Sequence, residues 1–154
     1  MSIFNTKLFT YLLSSKTMLK QISVFVENKP GRLAAVTEKL YEKNINIRAF
    51  TIAEAGDFGI IRMVVDKTDE AYKTLKEAGF TVSLTDVLAV EVEDKPGALY
   101  RIAKALGDEG INIEYVYAFT SEKHKALIIF RVNDIENAKR VLDKLGVLFK
   151  GKIE

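Results

Sequence analysis

From Gln21 to Val26 the chain sets β-branched and apolar residues in the period of a strand, and the pattern returns from Val87 to Val92. Each run stops at a Pro-Gly pair, Pro30-Gly31 and Pro96-Gly97. There a residue without an amide donor and one without a side chain break the extended backbone. Apolar residues then recur at helical spacing: Leu33, Val36 and Leu40 after the first pair, Leu99, Ile102, Ala103 and Leu106 after the second. Asn44 and Gly110 stand where such helices would end. Ile45 to Ala53 and Ile111 to Phe119 read as second strands, Gly59 to Val65 and Ala126 to Val132 as third strands. Thr68 or Asp69 caps a further helix through Ala78, and Asp134 or Ile135 opens its counterpart through Leu145. Gly79 and Gly146 close these helices, and a short strand is expected after each. The order is βαββαβ, twice.

The two halves are copies. Val26-Glu27-Asn28-Lys29-Pro30-Gly31-Arg32-Leu33 returns 66 residues later as Val92-Glu93-Asp94-Lys95-Pro96-Gly97-Ala98-Leu99. Ile45-Asn46-Ile47 returns at the same offset as Ile111-Asn112-Ile113. Val65, Ala71, Leu75 and Gly79 match Val132, Ala138, Leu142 and Gly146 at an offset of 67, so the second copy holds one extra residue near Ser121 to Lys125. The division expected is an extension over residues 1–17 that need not be ordered, a first domain over 18–86 and a second over 87–154.

Two right-handed β-α-β crossovers in this order predict an α+β fold: a ferredoxin-like antiparallel sheet with both helices on one face, built twice. One helical layer leaves the other face and the sheet edges bare, which predicts a homodimer.

Composition removes several chemistries. Without cysteine there is no disulfide, thiol nucleophile or zinc ribbon. The single histidine, His124, lies in the polar run Ser121-Glu122-Lys123-His124-Lys125 and reads as an exposed loop residue. No phosphate loop, metalloprotease helix or nucleophile elbow is present, so neither a catalytic constellation nor a metal or cofactor site is expected, and the protein is read as a non-enzyme. Asp66, Asp69 and Glu70 cluster where helix capping accounts for them. The net charge of +2 comes from Lys7 and Lys16 in the extension, which leaves 21 basic against 21 acidic residues. A balanced body offers no basic stripe, so no nucleic-acid partner is expected. Leu8 to Leu13 is too short to span a membrane, and Ser14-Ser15-Lys16-Thr17 offers no small-residue cleavage site. The expectation is a cytoplasmic protein without a membrane partner.

The segments Glu27-Asn28-Lys29-Pro30-Gly31-Arg32-Leu33 with Asn44-Ile45-Asn46-Ile47, and Glu93-Asp94-Lys95-Pro96-Gly97-Ala98-Leu99 with Gly110-Ile111-Asn112-Ile113, resemble the tandem ACT-domain family from Met18 onward. The resemblance implies a regulatory protein that binds an amino acid at the seam between two ACT units and acts on a biosynthetic enzyme or regulator of amino-acid metabolism. It implies binding residues Asn28, Lys29, Pro30, Gly31, Arg32, Leu33 and Asn46, and in the second copy Asp94, Pro96, Gly97, Ala98, Leu99 and Asn112.

The turn supports this chemically. The first amides of a helix lack internal acceptors and, with the positive end of the helix dipole, suit a carboxylate. Gly31 leaves the approach open, and Asn28 offers donors and an acceptor. Asp94 replaces Asn28 in the second copy and would repel an anion, so the first turn is expected to be the tighter site. Its far wall is expected from second-strand residues of the partner unit, around Glu114 to Phe119. The structural alternative is an ordinary turn with an Asx cap, and for Asn46 and Asn112 local backbone bonding is the stronger reading. Tyr115, Tyr117 and Phe119, with Phe50 and Ile52, read as sheet or interface packing. Three other functions compete: the small regulatory subunit of an enzyme such as acetolactate synthase, an RNA-binding domain using Phe25 and Phe130, and a chorismate-processing enzyme. A second half that repeats the first counts against the regulatory subunit, whose second half is a different domain. Isolated aromatics and balanced charge count against RNA binding, and missing paired carboxylates or arginines against the enzyme.

Overall fold

The computed structural model describes residues 18–122 and 124–151, so the extension over residues 1–17 lies outside the described residues. The alternating runs form strands β1 (Met18–Glu27), β2 (Ile47–Ala55), β3 (Phe58–Val65), β4 (Thr81–Glu93), β5 (Ile113–Glu122) and β6 (Lys125–Val132). The helical patterns form α1 (Arg32–Glu42), α2 (Thr68–Glu77), α3 (Ala98–Asp108) and α4 (Ile135–Lys144). All strand pairs whose register is given are antiparallel. The described chain divides into two compact units, residues 20–85 and residues 86–151, Met18 and Leu19 grouping with the latter.

In the first unit the strand order is β2-β3-β1-β4. Ile22 opposes Met63 and Val24 opposes Ile61, so these four side chains share one face. Val36 and Leu40 of α1 and Ala71 and Leu75 of α2 close that face, and all eight are at most 1% exposed. The second unit repeats the arrangement around β4, β6 and β5. Leu88, Val90, Ile128 and Phe130 meet Ile102 and Leu106 of α3 and Ala138 and Leu142 of α4. This is the split β-α-β layout that the element order predicts: one sheet face covered by two helices in each unit.

Three features depart from the sequence reading. The fourth strand of the first unit and the first strand of the second are one element, β4. Thr81 to Val90 is rich in β-branched residues and has neither Pro nor Gly, so nothing in it turns the chain. After Gly146 the expected strand reduces to a bridge between Leu148 and Val90, flanked by bonds from Glu91 N to Val147 O at 2.9 Å and from Phe149 N to Ala89 O at 2.8 Å. The sheet face opposite the helices is also not bare: Gln21, Ser23, Val64, Val87, Ala89 and Ile129 are all buried, and Gln21 Nε2 donates to Ser23 Oγ at 3.2 Å.

The caps follow the repeat, with one difference. Phe80 N donates to Leu75 O and Val147 N to Leu142 O, the Schellman closure, with Gly79 and Gly146 in the left-handed region. Asn44 and Gly110 end α1 and α3 in the same conformation. Asp134 caps α4, its side chain accepting from Asn137 N at 3.1 Å. The corresponding residue before α2 is Lys67, which makes no side-chain cap. Asp134→Ala is therefore expected to cost about 1 kcal/mol in a urea titration followed by circular dichroism. Lys67→Ala should leave the midpoint within a few tenths of a kcal/mol. Equal effects of the two would contradict this difference between the copies.

The extra residue of the second copy is a bulge. Glu54 and Ala55 oppose Gly59 and Phe58, whereas Thr120 opposes Ala126 and Glu122 opposes Lys125, leaving Ser121 over. His124 is exposed in the turn that follows, at φ 66°, and its carbonyl accepts from Asp94 N at 2.7 Å.

Candidate functional site

The turn between β1 and α1 is fixed by Gly31, which takes φ 87°, a region where a side chain strains the backbone. Gly97 repeats it at φ 90°. No side chain caps either helix. The first α-helical bond of α1 runs from Ala35 N to Gly31 O at 3.0 Å, so the amides of Arg32, Leu33 and Ala34 precede the helical ladder. In the second unit Arg101 N donates to Gly97 O at 3.0 Å in the same way, and Ala98 N reaches back to Lys95 O at 3.3 Å.

In the first unit the turn lines a cavity of about 260 Å³. Asn28, Lys29, Pro30, Gly31, Arg32 and Leu33 all border it, with Val26 and Glu27 behind them. Its opposite wall is the end of β2, Ile52, Ala53 and Glu54, with Gly59 of β3. Within the first unit, then, the turn faces the β2–β3 hairpin. Its signal lay in the topology. The end of β1 pairs with the start of β3 at Glu27 and Phe58, and the end of β2 pairs there at Ala55.

Asn28 is tied into this corner. Its backbone amide donates to Asp57 O at 2.9 Å and its Nδ2 donates to Gly56 O at 3.1 Å, clamping the turn to the β2–β3 hairpin. One amide proton and Oδ1 remain for other partners. Asp94 keeps the backbone bond, to His124 O, but has no side-chain donor for the second. Arg32 is half-buried, and its Nε is fully buried with no hydrogen-bond partner. Lys29 pairs with Glu27 and holds its carboxyl below the ordinary glutamate value, with a smaller pull from Arg32. Lys95 does the same to Glu93. A lowered carboxyl stabilises the fold above the ordinary glutamate range and ceases to as pH falls through the lowered value. Both pairs are exposed and add little.

Asn46 and Asn112 do not join the turns of their own units. Asn46 N donates to Asp66 Oδ1 at 3.0 Å and Asp66 N to Asn46 O at 3.1 Å. Asn112 and Asn133 make the same exchange at 3.0 and 3.2 Å. These clasps sit at the far end of β3 and β6, about 23 Å of strand from the turn at 3.3 Å per residue. Asp66 thus serves a backbone amide, while Asp69 and Glu70 lie in the first turn of α2.

In the second unit Pro96, Gly97 and Ala98 border a cavity of about 380 Å³ on the other flank of their turn, toward Tyr100, Arg101, Leu145 and Val147. Asp94 and Leu99 are not among its lining residues, and Leu99 is 48% exposed despite its helical spacing. Phe130 is fully buried against the helices, which removes it as a base-stacking surface. Tyr115, Tyr117 and Phe119 pair with Arg131, Ile129 and Leu127 and are half-buried, whereas Phe50 and Ile52 are 54% and 48% exposed. Among the described residues, no cluster of three or more acidic or histidine side chains could hold a metal, and no helix is long and apolar enough to cross a membrane.

A family model for an ACT domain pair matches residues 17–150, both copies of the repeat. The chain belongs to the ACT-domain family, as a domain pair. It is similar to protein BT0572 from Bacteroides thetaiotaomicron, with 42% identity, a TM-score of 0.81 and coverage of 86% of this chain and 92% of that one. Its fold is also that of the ligand-free regulatory subunit of aspartate kinase from Thermus thermophilus, at 21% identity and a TM-score of 0.61, over 81% of this chain and 90% of that one. The regulatory subunit of aspartate kinase from Thermus flavus is alike at 20% identity and a TM-score of 0.59, covering 82% and 90%. No curated protein matches the chain. The ACT pair accounts for both copies of the repeat, and the second half is an ACT unit rather than a domain of another kind.

Proposed function

We propose that this ACT domain pair is a non-catalytic regulatory protein that binds a free amino acid at the turn of its first unit and acts on an enzyme or regulator of amino-acid metabolism. The observation that carries the reading is the cavity itself. A glycine-opened helix start faces a walled space of about 260 Å³, which suits a molecule of amino-acid size. Membership of the ACT family and the likeness in fold to the aspartate kinase regulatory subunits support a regulatory role. Occupancy can shift a partner only as far as the ligand's affinity differs between two states of the pair. The exposed edge of β2, carrying Phe50 and Ile52, supports assembly as a homodimer.

Calorimetric titration with each of the twenty amino acids should give one or a few binders. Asn28→Ala should weaken the best of them by about tenfold, since the clamp to Gly56 that holds the turn against its wall is lost. Flat titrations across the whole set would discard the reading.

A further inference from the structure

We propose that the outer surface of α3 and α4 in the second unit is a docking face for a second copy of the chain, α4 of each copy lying against α3 of the other. This face is separate from the amino-acid site and from the β2 edge.

A cavity of about 420 Å³ opens between α3 and α4. Ala105, Val141 and Leu145 give it an apolar strip, and Leu145 is 38% exposed. The strip runs on into the neighbouring cavity through Leu145 and Val147, beside Tyr100, which is 67% exposed. Four charged side chains line the α3–α4 cavity, and they divide by sign. Asp108 and Glu109 stand at the end of α3, whereas Arg140 and Lys144 lie on α4. Both arrangements are locally unfavourable. Arg140 and Lys144 are like charges at i and i+4, a destabilising spacing, and neither enters an ion pair with any described residue. Asp108 and Glu109 sit at the negative end of the α3 dipole, where the last turn holds no basic residue. Asp108 pairs with the exposed Lys104, a contact that adds little, and Glu109 has no ionic partner among the described residues.

The first unit satisfies the same positions within itself. Lys73 and Glu77 stand where Arg140 and Lys144 do, and they pair at 3.9 Å. Lys39 stands at the position of Ala105 and pairs at 3.2 Å with Glu42, the counterpart of Asp108. Thr74 and Ala78 occupy the places of Val141 and Leu145, and Ala34 that of Tyr100. In place of internal ion pairs, the second unit therefore carries an apolar strip flanked by charges of opposite sign. Such a face is complementary to itself. A two-fold axis sets Arg140 and Lys144 of each copy against Asp108 and Glu109 of the other, and buries Val141 and Leu145 between them. A partner of a single charge sign would leave one wall unmatched.

Sedimentation equilibrium on the full chain tests this. The wild type should assemble, less tightly at about 500 mM than at about 50 mM salt. Arg140→Glu with Lys144→Glu, and separately Asp108→Lys with Glu109→Lys, should each halve the assembled mass, with a dissociation constant at least about tenfold higher. Mixing the two variants in equal amounts should restore the wild-type mass, because each then offers the other complementary walls. Arg140→Glu alone, which gives Lys144 an acidic neighbour in its own helix, should weaken assembly in the same direction without cost to folding by circular dichroism. Lys73→Glu, the first-unit counterpart, should leave the mass unchanged. A monomeric wild type would overturn the proposal, as would masses that none of the second-unit variants changes, which would confine assembly to other surfaces such as the β2 edge. A mixture that stays at the halved mass would overturn the charge pairing.

Discussion

Phe130→Ala should destabilise the second unit by about 3–5 kcal/mol, read as a fall in the urea midpoint by circular dichroism. Phe130 is fully buried on β6, among Leu88 and Val90 on the strand side and Ile102, Leu106 and Leu142 on the helical side. Truncation removes its transfer free energy and leaves a cavity that two helices and a sheet cannot fully close. A unit this small has only a few kcal/mol in reserve, so the variant is expected to show a separate, earlier transition for that unit. Phe58→Ala is the control. Phe58 is 58% exposed, and its loss should move the midpoint by less than about 1 kcal/mol. A Phe130→Ala loss as small as that of the control would mean that the helices do not close over β6.

Gly31→Val is the second large effect, about 1–3 kcal/mol in stability together with loss of amino-acid binding. The cost is torsional. A Cβ built on Gly31 meets nothing within 4 Å, so no clash arises, but φ 87° is a conformation that a β-branched residue strongly resists. Relief of the strain would turn the peptide and shift Arg32 and Leu33 from their places beside the cavity. Gly97→Val has the same torsional cost at φ 90° and serves as the internal comparison. It should destabilise equally and leave binding at the first unit unchanged. A stable Gly31→Val protein with normal binding would show that the left-handed turn is dispensable.

Much of the fold is legible in the sequence because its determinants are local. Period-two runs, the two Pro-Gly interruptions, the helix-ending Asn44, Gly79, Gly110 and Gly146, and the offset change from 66 to 67 each act within a few residues. The features that escape are those set at a distance or by an absence. Nothing between Thr81 and Val90 marks where one repeat ends, so a single strand crosses the boundary. Leu99 keeps its helical spacing yet stays exposed, because spacing assigns a face without saying how far the core extends along it.

The site divides in the same way. The turn residues are visible as a motif, but the partner of Asn28 lies 28 residues away at Gly56, and that contact exists only once the hairpin folds back. Glu54 looks like one more surface carboxylate in a row of alternating residues. It borders the same cavity as the 28–33 turn, a relation between two elements that no window along the chain contains. Asn46 shows the converse. Its motif suggests a ligand contact, and the structure shows its backbone amide bonded to Asp66 at the end of the sheet away from the turn of its own unit.

The most direct measurement is a crystal structure of the full chain grown with the amino acid that binds tightest in calorimetry. The account predicts density between the 28–33 turn and residues 52–54, with a carboxylate about 3 Å from the amides at the start of α1. An amino acid bound elsewhere, with that cavity empty, would contradict it.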